Sequence, residues 1–207
     1  MISLYIDTSS SYLYTALVKD NHLLDSKQEE YGQSLSEVAL PKIVEMFEKN
    51  NLSPKMVDKI FVVNGPGSFT GIRIGITIAK VYAWSLNIPI TTISSLEAMA
   101  LSSKENLVHV PIINARRGYV YTAIFDKNYN RVMNPIHMKF EELKEELKKY
   151  EDYEFISNDE FEEELDLHSY KPDFVKIIDF FKDKECINPH AVNPDYLKLT
   201  EAEESKL

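Results

Sequence analysis

Two short stretches carry residue types able to do chemistry. Asp7-Thr8-Ser9 follows the apolar run Leu4-Tyr5-Ile6, which puts a carboxylate at the end of an expected strand. Such a carboxylate serves as half of a proton-sharing pair, as in an aspartic-type peptidase, or as a contact at a phosphate-binding turn. The second stretch is Gly65-Pro66-Gly67-Ser68-Phe69-Thr70-Gly71-Ile72-Arg73-Ile74-Gly75, with four of the chain's six glycines. It lies between a strand and a helix, where bare backbone amides can face an anion. Its spacing is wrong for a Walker loop, since Gly71 is followed by Ile72-Arg73 and not by Lys-Ser/Thr. It is also one residue too long for a dinucleotide fingerprint, and the first acidic residue beyond it is Glu97.

Metal chemistry has no evident donor set. His22, His109, His137, His168 and His190 are all isolated, none three to five residues from another, so no shared site on one helical turn can be written. Each reads as a surface or edge residue. Cys186 is the only cysteine, which excludes an internal disulfide and favours a reducing compartment. No cofactor is implied.

The elements that must position these residues follow from a repeat. Asp7 to Val18 is echoed by Asn114 to Phe125, 107 positions later, with Tyr-apolar-Tyr-Thr-Ala-apolar in both. Each copy reads as strand, turn, strand, turn, strand, then helix and further strands. That is the plan of an α/β duplicated actin-like ATPase (ASKHA) fold with two lobes. The second half is too short for a full set of elements, so its lobe is expected to be degenerate. The boundaries read as residues 1–103 for the first lobe, joined by the C-terminal segment 190–207, and 104–189 for the smaller second lobe.

Within the first lobe, Ser34 and Glu37 form a capping-box pattern for a helix carrying Leu35, Val38, Ile43, Met46 and Phe47 inward, with Pro41 expected to bend it. Ile60-Phe61-Val62-Val63 reads as a strand, and a long helix runs from about Gly71 to Leu86. In that helix Gly71, Gly75, Ala79 and Ala83 recur every four residues, so a ridge of small side chains would let a partner helix approach closely, while Ile72, Ile74, Ile78 and Val81 would face the sheet. Such a stripe can equally pack within its own lobe. Farther on, Phe140, Leu143, Leu147 and Tyr150 mark a helix, Tyr153 to Ile156 a strand, and Phe174, Val175, Ile178 and Phe181 another helix.

Composition bounds the partners. With 207 residues, 44% of them hydrophobic, the chain can bury one good core or two small ones. A net charge of -10 and a pI near 5.0 repel a polyanion such as tRNA at long range, so any tRNA would be held by another protein. No basic leader or membrane-length apolar run is visible, which makes a soluble, cytoplasmic protein the expectation.

Ile6-Asp7-Thr8-Ser9, the Gly65 to Gly75 block, Ser94-Ser95-Leu96 and Pro194-Asp195-Tyr196-Leu197 together resemble the TsaB family. The likeness departs from the family at Asn114-Ala115-Arg116, where Asp-Ala-Arg is usual, and at Lys198, where arginine is usual. It also lacks the usual histidine near the first helix, with Gln33-Ser34 in its place. It implies an actin-like protein without enzymatic activity of its own, working in tRNA threonylcarbamoyladenosine formation. Its implied partners are the transferase TsaD, with TsaE as a further one, or a second copy through the same helix surface. By that resemblance Gly67, Ser68, Phe69, Thr70, Gly71, Arg73, Gly75, Ala79 and Ala83 would belong to the partner interface. Asp7, Thr8 and Ser9 would retain at most a weak nucleotide contact. The alternatives are an actin-like kinase or ATPase with weak nucleotide binding, and a peptidase using Asp7. The absence of any glycine after Gly118 speaks against a nucleotide clamp in the second half.

Overall fold

The computed structural model describes residues 1–104 and 106–197. It contains two mixed five-stranded sheets built in sequence. The first comprises β1 (Ile2–Asp7), β2 (Tyr12–Lys19), β3 (His22–Glu30), β4 (Lys59–Val63) and β5 (Ile90–Ile93), in the order β3-β2-β1-β4-β5. The second comprises β6 (Val108–Asn114), β7 (Tyr119–Phe125), β8 (Arg131–Lys139), β9 (Tyr153–Ile156) and β10 (Leu167–His168), in the order β8-β7-β6-β9-β10. Strand for strand the two orders match, and in each the opening hairpin pairs antiparallel while the later strands add parallel. The side-chain bonds match too. Asp7 Oδ1 accepts from Ser9 N at 2.8 Å as Asn114 Oδ1 accepts from Arg116 N at 2.8 Å. Likewise Thr15 and Thr122 each donate across to the first strand, to Tyr5 O at 2.7 Å and Pro111 O at 3.0 Å.

Layering follows from which faces are apolar. Along β1 and β4 alternate residues point to opposite sides, and both sides are buried, so the strands are apolar nearly throughout. Leu4, Ile6, Ile60 and Val62 meet the helices α1 (Leu35–Lys49) and α2 (Phe69–Leu86) on the outer face. Tyr5, Phe61 and Val63 face inward, where α3 (Ser95–Leu101) and α5 (Phe174–Phe181) lie. The same inner core takes Ala123, Phe125 and Ile156 from the second sheet, so α3 and α5 form a middle layer shared by both sheets. Helix α4 (Phe140–Leu147) covers the far face of the second sheet, packing Phe140, Leu143 and Leu147 on Val110, Ile112 and Val120, with Phe161 and Leu165 beside it. One eight-residue helix thus stands there where two longer ones cover the first sheet.

Several local expectations need correction. Ser34 does not cap α1; its hydroxyl donates to Tyr31 O at 2.8 Å and closes a short 3₁₀ turn instead. Pro41 lies inside α1, which continues as one helix to Lys49 with Leu35, Ala39, Ile43, Met46 and Phe47 buried. His109 is not a surface residue. It is fully buried, bonded through Nδ1 to Glu154 Oε1 at 2.6 Å, and Glu154 also receives Ser103 and His168. A lone histidine carries no sign in sequence of a carboxylate waiting opposite it on the neighbouring strand.

The C-terminal segment returns to the first sheet. Ile187 N donates to Ile90 O at 2.8 Å, Lys80 Nζ donates to His190 O and Val192 O, and Asp195 N donates to Asn64 O at 2.7 Å. Within the segment 190–207 expected to join the first lobe, residues 190–197 are described and the remainder lies outside the described residues. Among the described residues no helix is long and apolar enough to cross a membrane.

Candidate functional site

The parallel strands of both sheets end at one cleft, a cavity of about 580 Å³. Loops at the carboxyl ends of parallel strands are where an open α/β sheet offers its backbone and side chains to a ligand. Asp7, Ser9, Ser10 and Ser11 come from the end of β1, Gly67 to Thr70 from the loop after β4, and Ser95 from the end of β5. Across the gap stand Asn114 and Arg116 after β6, and Ser157, Asn158 and Asp159 after β9.

The first-sheet wall is tightly knit. Ser68 N donates to Ser9 O at 2.7 Å, and Gly67 sits at φ 151°, where an added Cβ would lie 2.2 Å from Ser9 O. Ser95 Oγ donates to Pro66 O at 2.5 Å. Ser68 caps α2 by accepting from Gly71 N at 3.2 Å. Asp7 is 1% exposed, and burial, opposed by hydrogen bonding from Ser9, pushes its carboxyl up to about 6. Asp159 accepts from Asn114 N at 2.8 Å, yet burial still raises it above the ordinary carboxylate range.

Thr8, expected beside Asp7 at the cleft, is turned the other way. Its buried hydroxyl donates to Gly71 O at 2.7 Å and binds β1 to α2. The small-residue ridge is a second correction. Gly71, Gly75, Ala79 and Ala83 are all buried against the first sheet. A Cβ on Gly71 would stand 2.0 Å from Thr8 O, and one on Gly75 would stand 2.4 Å from Thr8 Oγ1. The close approach that the ridge permits is that of the helix to its own strand. Small residues every four positions do not reveal which backbone they admit.

The outward face of α2 is carried by other residues. Val81, expected against the sheet, is 59% exposed, and Trp84 is 65% exposed. Phe69, Thr70 and Arg73 are exposed as well, and Leu40 and Val44 of α1 add apolar surface on the same side of the sheet. Arg73 lies 3.8 Å over the Phe69 ring and donates to Tyr196 Oη at 2.8 Å, so the C-terminal segment and α2 share this corner.

Of the residues singled out in sequence, then, Asp7, Ser9, Gly67, Ser68, Phe69 and Thr70 converge on the cleft, with Phe69, Thr70 and Arg73 also on the outer face. Sequence reasoning missed Tyr14, Tyr121, Asn158, Asp159 and Tyr170. Asn158-Asp159 follows an expected strand and could have been found as a strand-end loop, but the acidic run Glu160 to Glu164 beside it has the composition of solvated surface. Among the described residues no cluster of histidine, cysteine, aspartate and glutamate has the geometry of a metal site.

Known proteins place the chain. The family model described as TsaD, tRNA N6-adenosine threonylcarbamoyltransferase, matches residues 26–171. The tRNA threonylcarbamoyladenosine biosynthesis protein TsaB of Bacillus subtilis is 34% identical over 98% of this chain and 96% of its own length. The Escherichia coli protein of the same name is 30% identical over 62% of this chain and 57% of its own. Among solved structures, YeaZ from Pseudomonas aeruginosa superposes with a TM-score of 0.79 at 20% identity, covering 95% of this chain and 99% of that one. Carried by a near full-length match to a curated relative, the chain belongs to the TsaB family, within the wider family that the TsaD model describes.

Proposed function

We propose that this protein is a non-catalytic subunit of the machinery that forms threonylcarbamoyladenosine on tRNA, pairing with a TsaD-type transferase in the cytoplasm. The near full-length match to a relative named for that biosynthesis supports the pathway. The observation that carries the pairing is the exposed apolar face of α1 and α2, with Leu40, Val44, Phe69, Val81 and Trp84 at its surface. Scattered apolar residues are ordinary on a surface, whereas several on two neighbouring helices, with a tryptophan and an arginine among them, have the composition of an interface core. The same face would pair two copies of the chain when the transferase is absent. TsaE is a further partner in this reading, and the net charge of -10 leaves tRNA to be held by the transferase.

The matched strand orders of the two sheets favour a duplicated actin-like arrangement with a reduced second lobe. Its parts would be residues 1–103 with 190–207, and residues 104–189. A non-catalytic role agrees with the state of the two strand-end turns. Asp7 has Asn114 as its counterpart, a neutral amide whose side chain bonds Arg116 N and Glu160 O. A peptidase dyad made from two copies is disfavoured because Asp7 lies in a cleft walled by both sheets of its own chain, out of reach of a second copy's Asp7. A kinase or ATPase reading would need a second acid where Asn114 stands.

The test is reconstitution of tRNA modification with the cognate TsaD-type protein, with and without this chain, alongside co-elution. Trp84→Glu is expected to abolish co-elution and modification while leaving the melting curve within about 0.5 kcal/mol of the parent. Undiminished pairing by Trp84→Glu and by a Val81→Glu, Trp84→Glu double variant would overturn the assigned face. Turnover by the isolated chain would overturn the non-catalytic reading.

A further inference from the structure

Three acidic or basic side chains line the cleft, Asp7, Asp159 and Arg116. Among the described residues none of them forms an ion pair, with one another or with any other group. Asp7 is the extreme case, a carboxylate 1% exposed whose nearby donors are the backbone and hydroxyl groups of its own turn. Leaving a charge desolvated and unpaired costs stability, so the cleft holds opposite charges apart at an energetic cost.

The positive charge is also held deliberately. Arg116 and Arg117 lie at φ 66° and 53°, ahead of Gly118 at φ 76°, a run of left-handed residues that side chains other than glycine adopt at a cost. The turn is pinned by Asn114, whose side chain accepts from Arg116 N and donates to Glu160 O, and whose backbone N–H donates to Asp159. One scaffold thus fixes the Arg116 backbone relative to a carboxylate on the next strand-end loop. The Arg116 guanidinium has no hydrogen bond of its own.

We propose that the cleft between the two sheets is a binding site for a small zwitterion of the amino-acid class, its carboxylate on Arg116 and its ammonium on Asp7 or Asp159. A guanidinium takes a carboxylate through two parallel N–H bonds, and a buried carboxylate is relieved by an ammonium. Ser9, Ser68, Ser157 and Asn158 supply neutral polar groups for a side chain. Other ligand classes fit less well. The phosphates of a nucleotide would meet two carboxylates and one guanidinium, and an apolar ligand would strip water from Arg116 and Asp159 and leave Asp7 unpaired. The volume, about 580 Å³, falls within the range of small-molecule sites.

This inference is independent of the pairing proposal, because its test uses the full chain alone. Isothermal titration would be run with glycine, serine, threonine, glutamate and lysine, and with ATP plus magnesium and glucose as comparison ligands. At least one amino acid is expected to bind, and its decarboxylated amine and its methyl ester to bind at least about tenfold more weakly. Arg116→Gln and an Asp7→Asn, Asp159→Asn double variant are each expected to weaken binding about tenfold or more, and Arg116→Lys to recover part of the loss. Both variants leave the backbone scaffold in place, and an unchanged melting cooperativity checks that the fold is intact. No binding of any amino acid up to about 10 mM, binding of ATP in their place, or full-strength binding by both variants would each overturn the proposal.

Discussion

Gly75 has no room for a side chain, since a Cβ there would press on the Thr8 hydroxyl at 2.4 Å and sit 3.6 Å from the Ile6 side chain. Gly75→Leu is therefore expected to cost at least about 3 kcal/mol in urea denaturation, losing the fold before any interface is touched. In sequence the same glycine reads as a partner contact, because a bare position on a helix carries no label for the side it faces. Asp7 is the other residue whose burial decides its behaviour. Its folded-state carboxyl titrates at about 6 against an ordinary 3.8, so the folded state binds the proton more tightly than the unfolded one. The full stability is present below the unfolded value, declines as pH rises from there to the folded value, and is constant above it. Asp7→Asn should raise stability at pH 8 by roughly 2–3 kcal/mol at most and have little effect near pH 3.5, measured by denaturation at both. The chemistry-bearing stretch Asp7-Thr8-Ser9 was visible in the chain, but the division of labour inside it, with Asp7 and Ser9 at the cleft and Thr8 fastening α2, was not. Strand alternation separates Thr8 from its neighbours, and only the packing of α2 shows what lies on its side.

At the scale of elements, strands and helices were largely readable because their apolar periods are clean. Tyr153–Ile156 and the helix through Phe174, Ile178 and Phe181 stand where the pattern puts them, and α2 begins at Phe69, two residues before Gly71. What the pattern lacked was the polar fastening between elements. Glu154 on β9 gathers His109 from β6, His168 from β10 and Ser103 after α3, joining three strands of the second sheet to the middle layer. Desolvation alone would raise its carboxyl, but the hydrogen bonds from Ser103, His109 and His168 outweigh it and hold Glu154 below its ordinary value. A carboxyl so depressed stabilises the fold above its unfolded value of 4.5 and loses that contribution as pH falls through the folded one. Glu154→Gln is expected to cost at least about 2 kcal/mol at pH 7 and to flatten the stability profile below pH 4.5, read from denaturant midpoints across that range.

For the whole molecule, the two-sheet plan was legible from the repeat of Tyr-x-Tyr-Thr-Ala, and the strand orders repeat with it. The depth of contact between the halves was not legible, because the residues responsible are ordinary apolar positions on short helices. Phe174 of α5 packs edge-on against Tyr5 at 5.4 Å, and Tyr170 against Tyr14 at 5.1 Å, so rings from one half fill the inner face of the other. Lys59 extends the same seam by donating to Lys182 O at 2.8 Å and Lys184 O at 3.1 Å at the end of α5. Phe174→Ala should cost about 3–5 kcal/mol and lower the stability of both halves together, with tryptophan fluorescence and far-ultraviolet dichroism following one transition. Two separate transitions in the parent would contradict that account. A hinge needs an interface that can part, and here the layer between the sheets is built of buried aliphatic and aromatic side chains contributed by both of them. The two sheets are therefore expected to move as one body, so that a load on the outer side of α2 would reach the far sheet as displacement of the whole subunit, with the mouth of the cleft keeping its width.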